Sequence, residues 1–134
     1  MKQIISKKLA LNAMIALTTA VLLFHTLILI QIIPYSIVWA GKLNSVEEMR
    51  IFEFVSIIIN SFMLITFLLK SKYIQNTFSS KILNGIIWFF VFLFGLNTIG
   101  NLFAKSNFEL YFFTTLTFIS TLLCLRIVIE KEVD

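Results

Sequence analysis

"LALNAMIALTTAVLLFHTLILIQII", residues 9–33, is an apolar run of about 25 residues that decides the fold of this chain. At a rise of roughly 1.5 Å per residue, a helix of this length crosses a hydrocarbon core of roughly 30 Å. The preceding residues 1–8, "MKQIISKK", imitate the charged start of a signal peptide, but the apolar run is longer than the one such a peptide has. We therefore interpret residues 9–33 as an uncleaved first membrane span.

The composition of the whole chain extends this interpretation. Of 134 residues, 59% are hydrophobic and 13% are charged, whereas soluble domains have roughly 25% charged residues. Three further apolar segments follow, at about 49–69, 82–104 and 107–128. No segment alternates apolar and polar residues as the strands of a membrane barrel do, so the spans are predicted to be helices. Because the connections are short, the sequence predicts an all-α, membrane-embedded, antiparallel four-helix bundle that forms a single domain over residues 1–134.

The distribution of Lys and Arg predicts how the spans are oriented. The cytoplasmic ends of membrane spans carry an excess of these residues. One side of the predicted bundle has eight of them: Lys2, Lys7, Lys8, Lys70, Lys72, Lys81, Arg126 and Lys131. The other side has three: Lys42, Arg50 and Lys105. Both termini are therefore predicted to lie in the cytoplasm.

Two serines predict where helices begin on the outer side. Ser45 precedes Glu48, and Ser106 precedes Glu109, with the three-residue spacing of a capping box. In this motif the serine side chain accepts a hydrogen bond from a backbone N–H of the first turn, while the glutamate reaches back to the cap. The second and fourth spans are therefore predicted to start at these serines.

Polar residues within the spans predict a binding site, because a polar side chain in hydrocarbon requires a partner. Glu53, Ser56 and Asn60 share one helical face, and so do Asn97 and Asn101. Counted from the span ends, such residues concentrate in the outer half of the bundle. The predicted ligand-binding residues are His25, Glu53, Asn60, Asn97 and Asn101, and the predicted ion-pair or pocket-mouth residues are Arg50, Lys105 and Glu109.

Each of these residues also has a structural explanation. Asparagines can form hydrogen bonds between helices, worth about 0.6 kcal/mol each on average. His25 can be a neutral, satisfied histidine. Glu53 can be protonated and neutral, or it can form a pair. Its three available partners are Arg50, Lys105 and His25. The sequence leaves a structural and a functional role for Glu53 open.

The sequence lacks the motifs of several other functions. The single cysteine, Cys124, excludes an intrachain disulfide, and one histidine cannot by itself build a zinc site. There is no HExxH, CxxC or GxSxG motif and no Gly-rich phosphate loop, so no catalytic residue, metal or cofactor is predicted. The net charge of +4 comes from basic residues spread over short loops, which does not indicate a nucleic-acid interface.

Three stretches carry a resemblance to a known group of proteins. They are "IPYSIVWAGKL" (33–43), "SVEEMRIFEFVSIIIN" (45–60) and "LNTIGNLFAKSNFE" (96–109). Together they resemble a group of small bacterial four-span membrane proteins for which no activity is established. The resemblance covers roughly residues 32–60 and 96–109 and implies the four-span fold and the bacterial inner (plasma) membrane, but no chemistry.

Three functions compete on these grounds. In the first, which we favour, an outer-half pocket holds a small polar ligand or a lipid headgroup, as in a binding or transport-accessory protein. In the second, the chain is a structural subunit whose Asn97 and Gly100 face outward to a second copy or another membrane protein. In the third, the chain is an enzyme acting on a lipid-like substrate, with His25 as general acid or base and Glu53 orienting it. The third function requires His25 and Glu53 to lie within hydrogen-bond reach of each other, directly or through one water.

Overall fold

The computed structural model describes residues 4–37, 43–75, 77–104 and 107–129, and within these ranges it contains helices and no strand. Four α-helices follow one another: α1, Lys7–Leu29; α2, Val46–Lys70; α3, Ser80–Asn101; and α4, Thr114–Ile129. A 3₁₀ turn, Tyr35–Ile37, follows α1, and a π-helical segment, Glu109–Phe113, leads directly into α4. The described part of the chain confirms the predicted all-α class.

Serine side chains start the first three helices. Ser6, Ser45 and Ser79 each accept a hydrogen bond from the backbone N–H three residues later, at 3.1, 3.1 and 3.3 Å. These bonds satisfy donors that the first helical turn leaves open. The predicted cap at Ser45 is confirmed, although the Glu48 carboxylate accepts from the N–H of Asn44 at 3.3 Å rather than from that of Ser45. Ser106 lies outside the described residues.

Helix α1 ends before the apolar run does. Gln31 has a left-handed backbone, with φ 64°. Its N–H donates to the carbonyl of Ile28, and the N–H of Ile32 donates to the carbonyl of Leu27, each at 2.9 Å. These two bonds form the Schellman motif, which closes a helix at a left-handed residue. The helix therefore stops at Leu29, four residues before the end of the apolar run.

Each helix packs against two others. The contact between α3 and α4 is the most extensive, followed by α1 with α2, α1 with α4, and α2 with α3. Nε of Arg126 donates to the carbonyl of Ile5 at 2.7 Å, and Nζ of Lys70 donates to the hydroxyl of Ser80 at 3.3 Å. The start of α1 thus lies beside the end of α4, and the end of α2 lies beside the start of α3.

Two apolar clusters of different size fill the interior. The buried residues of the larger one are Ala10, Leu11, Met14, Met63, Phe67, Ile87, Phe90, Leu123, Cys124, Ile127 and Val128. The buried residues of the smaller one are Ile28, Leu43 and Met49. The larger cluster draws on all four helices and therefore holds them together, whereas the smaller one joins the end of α1 to the start of α2.

Much of the outer surface is apolar. Ile51 on α2 and Phe89 and Phe92 on α3 are 66, 60 and 65% exposed. Large exposed apolar areas of this kind are rare on soluble monomers. The segments Lys7–Leu29, Val46–Lys70, Ser80–Asn101 and Glu109–Ile129 are each long and apolar enough to cross a membrane. The described helices are therefore compatible with a multi-pass membrane protein.

Candidate binding site at the glutamate end

A carboxylate and an imidazole meet in the interior between α1 and α2. Nδ1 of His25 lies 2.5 Å from Oε2 of Glu53. The Glu53 side chain is fully buried, and the His25 side chain is 16% exposed. Of the partners considered for Glu53, the structure shows His25 in contact with it. Because the two groups are within hydrogen-bond reach, acid–base chemistry by this pair also stands as a hypothesis.

The two helices bring this pair together because both residues lie on inward faces. Met49, Glu53 and Ser56 are four and three residues apart on α2, and all three are buried. On α1, the ring of Phe24, next to His25, packs edge-on against the ring of Phe113 at a centroid distance of 5.4 Å. The pair therefore lies beside the smaller apolar cluster, about one to two turns inside the helix ends.

The pair leaves one ring nitrogen of His25 available. A carboxylate at Nδ1 favours a proton on that nitrogen and fixes the orientation of the ring. The other nitrogen, Nε2, makes no hydrogen bond within the described residues. In the neutral ring Nε2 accepts a hydrogen bond, and in the protonated ring it donates one. The pair can therefore hold a polar group or exchange a proton with it.

A second buried glutamate lies at the same end of the molecule. Glu109 is 3% exposed and begins the π-helical segment. One turn later, Phe113 packs against Phe24 beside His25. Segments of this kind occur frequently at functional sites. We call the region formed by His25, Glu53 and Glu109 the glutamate end.

None of the three predicted asparagines is hydrogen-bonded to this pair. Asn60 donates to the carbonyl of Ser56 in its own helix at 2.8 Å. Asn101 donates to the hydroxyl of Thr117 on α4 at 3.5 Å, and Asn97 is exposed. The structure thus brings His25 and Glu53 together and does not bring these asparagines to them. The physical reason is that α3 packs mainly against α4, so threonines and not Glu53 meet the polar side of α3.

The three predicted mouth residues take different positions. Arg50, one turn before Glu53 on α2, is exposed. Glu109 is buried at the start of the π-helical segment. Lys105 lies outside the described residues.

Sequence reasoning missed a second polar region at the opposite end. The Tyr73 hydroxyl donates to Oδ1 of Asn12 at 2.8 Å, which ties the chain after α2 to α1. Lys70 and Arg126 are buried there, with 7 and 3% exposure. The signal that could have indicated this region is Asn12, a polar residue inside the first apolar run. We call the region around Lys7, Lys8, Lys70 and Lys72 the lysine end.

Comparison with known proteins gives no functional assignment. The chain matches no protein-family model, no curated protein and no solved structure. Within the ranges described above, no three side chains of His, Cys, Asp or Glu come together so as to hold a metal ion. Function is therefore inferred from the geometry of the chain itself.

Proposed function

We propose that this chain is a multi-pass protein of the bacterial inner membrane, folded as an antiparallel four-helix bundle with both termini in the cytoplasm. Four helices of span length support this arrangement. The lysine end holds the start of α1 and the end of α2, and an excess of lysines favours the cytoplasmic side. The glutamate end then faces the outer side of the membrane.

In this arrangement the His25–Glu53 pair binds a small polar ligand or a lipid headgroup in the outer half of the bundle, as in a binding or transport-accessory protein. One observation carries the proposal: a fully buried carboxylate engages Nδ1 of a partly exposed imidazole, and Nε2 is left for a further hydrogen bond. Ionisable side chains within a membrane are costly, and they generally mark substrate or ion sites. Asn97, on the outside of α3, is not part of this narrower site.

The test exploits the fact that His25 is the single histidine of the chain. The protein is placed in phosphatidylcholine bilayers and treated with diethyl pyrocarbonate, and modification of the imidazole is followed by mass spectrometry. We expect His25 to react. We expect Glu53→Gln to change the rate of the reaction, because the carboxylate fixes the tautomer and the orientation of the ring. Asn60→Leu is the matched control and should leave the rate unchanged. A folded protein whose His25 does not react would contradict the proposal.

A second function, association of this chain with a second copy of itself, is favoured by one face of α3. Asn97 and Gly100 are three residues apart and both exposed, and apart from the neighbouring residues and backbone of the helix itself, no described atom lies within 4 Å of the place where a Cβ on Gly100 would stand. Small residues let helices approach closely, and an asparagine can form a hydrogen bond to a neighbouring helix. A partner helix is therefore a better neighbour for Asn97 than acyl chains are.

Crosslinking in membranes at several protein-to-lipid ratios tests this second function. We expect a defined dimer whose fraction falls in Asn97→Leu. The control Asn101→Leu removes an amide that bonds Thr117 within the chain, so it should lower stability and leave the dimer fraction unchanged. A monomer at every ratio would exclude self-association.

A further inference from the structure

Two adjoining cavities lie at the lysine end. The larger has a volume of about 600 Å³, and its lining includes Lys7, Lys8, Asn12, Lys70, Lys72 and Tyr73. The smaller has a volume of about 330 Å³, and its lining includes the apolar side chains of Ile74, Phe78 and Leu83. Lys70, Lys72 and Ser80 line both cavities. The two cavities therefore share two lysines.

The larger cavity concentrates positive charge. Four lysines line it, and none of the described residues lining either cavity is Asp or Glu. Lys70 is 7% exposed, and its Nζ lies 3.3 Å from the Ser80 hydroxyl, so its ammonium is positioned by the fold. Ammonium groups donate charge-assisted hydrogen bonds to anionic oxygens, so a phosphate in this cavity can contact several of these lysines.

Neutral donors and two helix ends favour the same kind of ligand. Lys7 begins α1 and Ser80 begins α3, and both residues line the larger cavity. The N-terminus of a helix carries partial positive charge and N–H groups that favour an anion. The side chains of Asn12, Ser71 and Tyr73 add amide and hydroxyl groups to the lining. Phosphate oxygens accept hydrogen bonds from ammonium and hydroxyl groups alike.

Exposed apolar side chains next to these lysines indicate a lipid as the source of the phosphate. Ile74 and Phe78 are 44 and 59% exposed beside Lys70 and Lys72. A phosphate in the larger cavity would let the glycerol and the first acyl carbons lie along these side chains. Basic pockets between membrane helices on the cytoplasmic side are a known way to hold acidic headgroups.

We propose that the lysine end binds the phosphate group of an anionic glycerophospholipid. This site is distinct from the His25–Glu53 pair and does not depend on the function proposed for that pair. The positive-inside distribution requires only that lysines lie near span ends. It does not require four of them around one cavity, or a buried one among them.

The experiment is native mass spectrometry of the full chain in detergent with added phosphatidylglycerol or phosphatidylcholine. We expect preferential binding of phosphatidylglycerol. Lys70→Gln and Lys72→Gln should each weaken the first bound phosphatidylglycerol by about fivefold. Lys72 is exposed, so this second variant keeps the test valid if Lys70→Gln does not fold. The matched control is Lys81→Gln, an exposed lysine at the start of α3 that is not among the lining residues, and its effect should be under about twofold.

Three results would overturn the proposal. Equal binding of the two lipids would show that the site does not select an anion. Equal weakening by Lys81→Gln and Lys72→Gln would show that lipid binding follows total charge rather than the cavity. Release of phosphatidylglycerol by excess inorganic phosphate, but not by chloride at the same ionic strength, would identify free phosphate as the ligand. Retention of the lipid under those conditions supports the lipid assignment.

Discussion

The two ends of the molecule accommodate polar side chains within an apolar chain in opposite ways. At the glutamate end, Glu53 and Glu109 are buried, and Glu53 is held against His25 beside a small apolar cluster. At the lysine end, four lysines surround a cavity of about 600 Å³ that lies beside a second cavity. The glutamate end therefore contains a buried pair of side chains in direct contact, and the lysine end contains a cavity lined by several positive charges.

This difference follows from the reach of the side chains. A glutamate is short and must find its partner where the helix places it. A lysine has a flexible four-carbon stem and can carry its charge towards water or headgroups. We therefore expect single substitutions to be costly at the glutamate end. At the lysine end, single substitutions should alter summed charge and cost little stability, except where a directional bond is lost.

The largest expected effect is at His25. His25→Leu removes the imidazole from a fully buried carboxylate, and breaking a buried pair typically costs about 3–5 kcal/mol. The free energy of unfolding in detergent measures this cost. The double variant His25→Leu with Glu53→Leu should recover most of it, because apolar residues of similar volume suit such a site. A cost under about 1 kcal/mol for the single variant, as for an exposed ion pair, would contradict the expectation that substitutions at the glutamate end are costly.

Substitution of two buried isoleucines compares how much stability the two apolar clusters provide. Ile87 and Ile28 are both 0% exposed, but Ile87 belongs to the larger cluster and Ile28 to the smaller one. A cavity costs more where its surroundings cannot collapse, so we expect about 3–4 kcal/mol for Ile87→Ala and about 2 kcal/mol for Ile28→Ala. Unfolding of both variants under the same conditions measures the difference. The reverse order would show that the smaller cluster is the more rigid one.

A directional bond at the lysine end should have an intermediate effect. Arg126 is buried, and its Nε donates to the carbonyl of Ile5 at 2.7 Å. We expect Arg126→Gln to cost about 2 kcal/mol, because a partly buried hydrogen bond from a charged donor is lost. Lys72→Gln, which removes an exposed charge at the same end, should cost less than about 0.5 kcal/mol. Similar unfolding free energies for the two variants would mean that the Arg126 bond does not hold α1 to α4.

The smallest expected effects are gains in stability. Gln31 and Lys72 follow the ends of α1 and α2 and have left-handed backbones, with φ 64° and 66°. An L-residue other than glycine pays roughly 1 kcal/mol for this conformation. Gln31→Gly and Lys72→Gly should therefore each raise the midpoint of thermal unfolding in detergent. A lower midpoint for Gln31→Gly would show that its side chain stabilises the end of α1 more than its backbone strains it.

The four helices could be predicted because each apolar run is long enough to decide its own structure. The start of α2 could be predicted as well, because the Ser45 cap is a local signal. The side chains that α3 meets on the other helices could not be predicted. Helical spacing fixes which residues share a face of one helix, but it does not fix how that helix is rotated against another. Asn101 therefore meets Thr117 on α4, and Asn97 lies on the outside.

The polar sites show the same limit. His25 was one of three partners considered for Glu53, and only the distance between the side chains could select it. The lysines of the lysine end contributed to the predicted orientation, because their number is visible in the sequence. Their arrangement around a cavity depends on how α1 approaches the end of α2, as the bond between Tyr73 and Asn12 shows. No local pattern in the sequence contains that information.

Nitrogen-15 NMR of the single histidine tests most directly whether Glu53 engages Nδ1 of His25 and leaves Nε2 open. Labelling with ¹⁵N-histidine gives signals from one imidazole, and in lipid bilayers these signals report the protonation of each ring nitrogen. We predict a protonated Nδ1 whose signal shifts on Glu53→Gln, and an Nε2 signal that responds to water exposure. An unprotonated Nδ1 that is insensitive to Glu53→Gln, together with a protonated Nε2 shielded from water, would contradict the account.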